Sequence, residues 1–165
     1  MTPENAAAML EKYVKPSNGR NGLCAISTLG RLVLDHRQPV NVAGTIIKVI
    51  AYYPVHVGSN VSGNVMAGSG QLTTYYKMQR GKFSIDIGTL TKIRVQETTE
   101  ETLKWLVKSC PNIGPGYLVD LNTSRSLPDN GRLSINVPDQ ETLDSVLAVL
   151  SYFSPQARLV QGVGF

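Results

Sequence analysis

The sequence predicts an α+β domain built around an antiparallel β-sheet. Residues 71–78 and 82–96 alternate between apolar and polar side chains with a period of two, as half-buried strands do. Stretches near both ends place apolar residues at helical spacing. Turn chemistry rich in glycine, proline and asparagine separates the remaining β-branched runs into short strands. At 165 residues the chain has the length of one domain, and 42% hydrophobic against 17% charged residues is the composition of a packed core rather than a disordered tail.

Thr2 followed by Pro3 and Glu4 has the form of a helix start. Ala6, Met9, Leu10 and Tyr13 then share one face until Pro16 ends the run, so residues 1–16 read as an N-terminal helical extension. Residues 17–22 are turn chemistry. Residues 23–28 and 31–35, on either side of Leu29-Gly30, are expected to pair as an N-terminal hairpin. Residues 40–53 read as one long strand, with Gly44 as a bulge and Pro54 as its end. The glycine-rich residues 58–70 read as a flexible or bulged connection, in which 64–67 could pair briefly. They lack the GxxxxGK[ST] spacing and the following helix that a phosphate loop needs.

Gln79-Arg80-Gly81 reads as a turn between the two alternating strands. In the second, Phe83, Ile85, Ile87, Ile93 and Val95 fall on one face, and Lys82, Ser84, Asp86, Lys92 and Arg94 on the other. Thr98-Thr99-Glu100-Glu101 reads as a capping box that opens a short helix with Leu103, Leu106, Val107 and Cys110 on one stripe. Strands are expected at 117–121 and 132–137, separated by a turn at 128–131. Asp139 can cap a final helix whose stripe is Leu143, Val146, Leu147 and Leu150, extended by Phe153 and broken by Pro155. A short apolar tail, 157–165, follows.

Charge and chemistry narrow the function. The net charge of +4, from 16 basic and 12 acidic residues, leans mildly towards an anionic partner, although a solvated basic surface would read the same. No apolar run approaches the ~18 residues of a membrane span, and the N-terminus lacks the basic and apolar regions of a secretory signal, so a non-secreted protein is expected. Cys24 and Cys110 are far apart and outside any CxxC pattern, which favours small buried hydrophobes over a disulfide or metal ligands. His36 and His56 have no triad-like or ligand-like neighbours. The expectation is therefore no enzyme, no cofactor and no metal.

The alternating pair places Tyr75, Lys77, Arg80, Lys82, Lys92 and Arg94 in one neighbourhood. Cations there would neutralise phosphates and the tyrosine would stack on an unpaired base, although an ordinary solvated sheet face would also suit these residues. Three stretches, 32–44, 79–87 and 133–165, resemble the coat proteins of single-stranded RNA bacteriophages. The resemblance covers roughly a third of the chain. It implies a homodimer in which the C-terminal helix lies across the partner's sheet, making Leu143, Val146, Leu147, Leu150 and Phe153 the dimer and assembly interface. It also implies that the opposite sheet face looks inward at single-stranded RNA, within an icosahedral-type shell. Localisation would be the virion, and the host cytoplasm during assembly. The N-terminal helix, the 58–70 insertion and the helix at 99–110 depart from that family and lengthen the chain. Two rivals are another viral shell or matrix protein of β-sandwich type, and a small cytosolic enzyme or ligand-binding domain with a pocket near His36 or His56.

Overall fold

In the computed structural model, which describes residues 1–15, 21–62, 68 and 70–161, the chain is α+β, with three helices and two β-sheets around a shared core. The first helix, α1 (Pro3–Val14), begins as its sequence dictates. The Asn5 amide donates to the Thr2 hydroxyl at 3.2 Å, Pro3 occupies the first turn, and Ala6, Leu10 and Val14 are buried on one stripe.

The larger sheet has the order β1-β8-β7-β6-β9, formed by β1 (Gly22–Ile26), β6 (Lys92–Glu97), β7 (Tyr117–Asn122), β8 (Arg132–Val137) and β9 (Arg158–Gln161). All its pairings are antiparallel except β6 with β9. On one face Leu23, Ala25, Ile93, Val95, Val119, Leu121, Leu133 and Ile135 enter the main core, covered by α1 and by α3 (Gln140–Phe153). Asp139 caps α3 by accepting from the Thr142 amide at 2.8 Å. On the other face Cys24, Ile26 and Leu118 pack against Leu106 and Cys110 at the end of α2 (Glu100–Leu106). Helices therefore cover both faces of this sheet. The α2 cap is different in detail: its box joins Thr99 to Thr102, with the two glutamates left to face the helix dipole.

The second sheet is built on a long ribbon. β4 (Ile46–Ser62) pairs with β5 (Gln71–Asp86) along its whole length, and β2 (Val33–Leu34) and β3 (Asn41–Ala43) line the other side of the proximal half of β4. Ile47, Val49, Ala51 and Ile85 close the main core from this side. Beyond Tyr53 the ribbon extends past β2 and β3 and meets the body at Arg31, whose guanidinium lies over the Tyr76 ring, and β5 is exposed from Leu72 through Arg80.

Several expected boundaries move for identifiable reasons. The run 22–26 is buried at every residue, which a two-stranded hairpin cannot achieve, and it pairs with β8 while Val33 and Leu34 pair with β4. Gly44, at φ 62°, makes a tight turn between β3 and β4 rather than a bulge, and the bulge lies between His56 and Gly58. Pro54 does not end β4. It sits just past the last residue paired with β2, where β4 is an edge strand and a missing N–H is tolerated. Gln79-Arg80-Gly81 continues β5 without turning. Gly81 lies opposite Ala51, and a Cβ there would stand 2.9 Å from the ring of Tyr53, which packs edge-to-face on Phe83.

The expected strand 82–96 breaks at a 3₁₀ turn, Ile87–Thr89, capped by Asp86, so β5 and β6 belong to different sheets. Residues 58–62 extend β4, and the expected brief pairing at 64–67 lies outside the described residues. The tail supplies β9 as far as Gln161, with 162–165 outside the described residues.

Two further corrections bear on function. Cys24 and Cys110 are buried as expected, but they are joined as a disulfide with Cα atoms 5.5 Å apart, which ties β1 to the end of α2. The α3 stripe is likewise used within the chain. Leu143, Val146 and Leu150 are at most 3% exposed and belong to the chain's own core, and Leu147 and Phe153 pack partly buried against it.

Candidate nucleic-acid interface

An extended strand sends alternate side chains to opposite faces, and β5 does so over its 16 residues. Tyr75, Lys77, Gln79, Gly81, Phe83 and Ile85 share the core-side face, and Tyr76, Met78, Arg80, Lys82 and Ser84 the outer face. Opposite the outer set on β4 stand His56, Pro54, Tyr52, Ile50 and Lys48, in that order. Of the six residues singled out from sequence, only Arg80 and Lys82 occupy this outer face. Tyr75 and Lys77 point the other way, beyond the body and exposed. Lys92 and Arg94 are half-buried on β6 in the larger sheet, where Asp120 is the cross-strand neighbour of Arg94. Reading a turn at 79–81 had brought these residues together, and a continuous strand separates them.

The outer face has its own organisation. Asp35, with its side chain 2% exposed, accepts hydrogen bonds from the Arg37 amide at 3.1 Å, from Arg37 Nε at 3.1 Å and from Arg80 Nε at 3.1 Å. Arg37 also donates from Nη2 to the Tyr52 hydroxyl at 2.6 Å. The hydrogen bond from Arg37 holds the Asp35 carboxyl well below the usual carboxylate range, and Arg80 adds to it against the opposing effect of burial.

Further along, the Arg31 guanidinium lies 4.7 Å from the centroid of the Tyr76 ring while ion-paired at 2.8 Å to Asp129. Burial pushes the Asp129 carboxyl up, but hydrogen bonds from Arg31 and from Ser27 outweigh it and leave the group below its ordinary value. Asp129 adopts a left-handed φ of 61°, which orients its carboxylate back towards Arg31. At the proximal end Lys48 and Lys82 flank an open groove of about 380 Å³ floored by Ile50 and edged by Gln38, Asn41 and Ser84. Neither lysine has an ion-pair partner among the described residues.

No protein-family model, curated protein or solved structure matches this chain.

The charge map shows what the motif-by-motif reading overlooked. Residues 36–85 contain Arg37, Lys48, Lys77, Arg80 and Lys82 and not one Asp or Glu, while the remainder of the chain carries 11 cations against 12 carboxylates. Even with the flanking Asp35 and Asp86 included, the ribbon sheet and the loop that leads to it carry +3 of the net +4. That signal is present in the sequence as a carboxylate-free stretch of 50 residues, and the residues missed were Arg37, Lys48, Tyr52 and Tyr76.

His36 lines a separate cavity of about 450 Å³ beside Asp35. Asp35 is committed to two arginines there, and His36 has no hydrogen-bond partner among the described residues, so the cavity holds no acid–base pair. Among the described residues no group of three His, Cys, Asp or Glu side chains is placed to hold a metal, and no helix is long and apolar enough to cross a membrane.

Proposed function

We propose that the chain is a viral coat protein that assembles from copies of itself into a shell and packages single-stranded RNA on the β4–β5 ribbon. The carrying observation is the segregation of charge: a near-neutral body bears a long ribbon with five nearby cations, several exposed aromatic rings and no carboxylate between residues 36 and 85. Such a surface attracts a polyanion through phosphate neutralisation while leaving rings for unpaired bases.

Assembly is supported by the distal ribbon. Val57, Leu72, Tyr75, Tyr76 and Met78 are all more than two-fifths exposed there, and β5 has a strand on only one of its edges among the described residues. A long, open-edged strand with exposed apolar side chains is a template for pairing with another chain. The dimer contact expected from the α3 stripe is thereby moved to the ribbon. The Cys24–Cys110 bridge suits a particle that spends part of its life outside a reducing cytosol.

The test is expression of the full chain in bacteria, followed by electron microscopy and the ultraviolet absorbance ratio of the purified material. Closed particles that contain nuclease-protected RNA are expected. A monomer free of nucleic acid across a range of salt and protein concentrations would overturn the reading.

A further inference from the structure

Asp35 needs one cation to balance it and has two. Arg37 comes from the loop after β2 and Arg80 from β5, and while both donate to the carboxylate their side chains remain 76% and 44% exposed. Each guanidinium has five N–H donors, of which Asp35 and Tyr52 use only a part. The buried carboxylate therefore fixes two guanidinium forks at the surface and leaves a net positive charge between them. Guanidiniums already held in place lose little freedom on meeting a phosphate, which they can bind through two parallel hydrogen bonds.

The neighbouring rows extend this point into a track. Lys82 follows Arg80 at the next outward position, about 6.8 Å along the strand. Lys48 is diagonal to Lys82 across the pair and faces the same groove. In the opposite direction the Pro54–Met78 row is apolar, and the His56–Tyr76 row is aromatic, its two rings edge-to-face with centroids 5.9 Å apart. Cations and rings thus follow one another along the outer face of the β4–β5 pair.

We propose that this file is a seat for single-stranded RNA: the Arg37–Arg80 pair pinned by Asp35 holds one phosphodiester, Lys82 and Lys48 hold the next, and an unpaired base stacks on Tyr76. The inference rests on the RNA-packaging reading and adds to it the face and the residues. A base stacked on a ring must be unpaired, and the contacts assigned here go to phosphates and to a ring face, so they carry no sequence preference of their own.

The test measures binding of a fluorescent oligouridine strand, and of an RNA duplex of equal length, to the full chain as a function of salt. Arg37→Gln is expected to weaken oligouridine binding about tenfold and Tyr76→Ala about fivefold or more. Lys48→Gln and Lys82→Gln are each expected to lower the slope of log affinity against log salt by about 0.7. Thermal unfolding is followed in parallel. If Arg37→Gln does not fold, the two lysine variants carry the test, since neither lysine has an ion-pair partner among the described residues, and Tyr76→Ala joins them where its melt is unchanged, because Tyr76 also meets the Arg31 guanidinium.

Three outcomes overturn the proposal in different ways. No RNA binding by the unsubstituted chain would remove the packaging reading itself. Binding that survives all four substitutions but is lost in Tyr75→Ala with Lys77→Gln would keep that reading and place the seat on the core-side face. Tighter binding of the duplex would reject a single strand as the ligand.

Discussion

Asp35 and Asp129 are buried carboxylates that organise arginines, and their protonation has a defined direction. Each has a folded-state pKa below its unfolded value, Asp35 chiefly through the hydrogen bond from Arg37 and Asp129 through those from Arg31 and Ser27 that overcome burial. Each therefore contributes stability above the ordinary carboxylate range, near pH 4, and that contribution is lost as pH falls through the depressed folded values. Thermal melts from pH 7 downwards are expected to hold level and then fall below about pH 4. Asp35→Asn is expected to start lower at neutral pH and to show a flatter fall, and an unchanged acid limb would contradict the role given to this group. Asp129 combines an ion pair with a left-handed backbone, so Asp129→Ala is expected to lower the midpoint of equilibrium urea unfolding, through the strained backbone and the donors of Ser27 and the Arg31 amide left without their acceptor. Asp129→Asn, which tolerates that backbone, should cost less. At this scale the sequence was half legible: the cations and tyrosines of 75–82 were visible, but which of them share a face depended on whether Gln79-Arg80-Gly81 turns. Its glycine is there for the Tyr53 ring, and glycine chosen for packing looks the same in a sequence as glycine chosen for a turn.

At the level of elements, α3 and the distal ribbon have opposite roles. The apolar stripe of α3 is core, so Leu150→Ala is expected to destabilise the folded chain by about 2–5 kcal/mol, with a loss that does not vary with protein concentration in thermal melts. A loss that grew on dilution would restore the stripe to a subunit interface. The distal ribbon is the reverse case. Replacing residues 54–78 by Asn-Gly closes β4 and β5 at the Tyr53–Gln79 pair with a two-residue turn suited to hairpins. The shortened chain is expected to melt within a few degrees of the full chain and to keep the phosphate-binding part of its RNA affinity through Arg37, Lys48, Arg80 and Lys82, weakened about as much as by Tyr76→Ala because Tyr76 is removed, but to form no particles by electron microscopy. Particles of normal appearance would show that assembly lies elsewhere. Helices and most strands could be read from periodicity and caps, since both are local. Partners could not: a period of two says which residues share a face of one strand, and nothing in residues 22–26 distinguishes pairing with 33–34 from pairing with 132–137 except that five consecutive buried positions need layers on both sides.

The whole molecule is a near-neutral body with a charged ribbon, tied by one covalent link. The Cys24–Cys110 bridge spans 86 residues of sequence, and closing a loop of that size restricts the unfolded chain by about 4–5 kcal/mol on the chain-entropy account. Reduction under otherwise native conditions is therefore expected to lower the midpoint of thermal unfolding by many degrees, and Cys24→Ala with Cys110→Ala to do the same. This link was the feature least legible in the sequence, because two cysteines so far apart are brought together only by the packing of α2 on the second face of the larger sheet. The ring it closes also contains the whole ribbon. Beyond Tyr53 the ribbon is two strands wide and has little to hold it shut, and its exposed Lys77 is a cleavage point for trypsin. A cut there leaves Cys24 on one fragment and Cys110 on the other. Nicked protein should thus migrate as a single species under denaturing conditions and separate into two only when a thiol is added, so that damage to the outermost part of the molecule does not release any part of it.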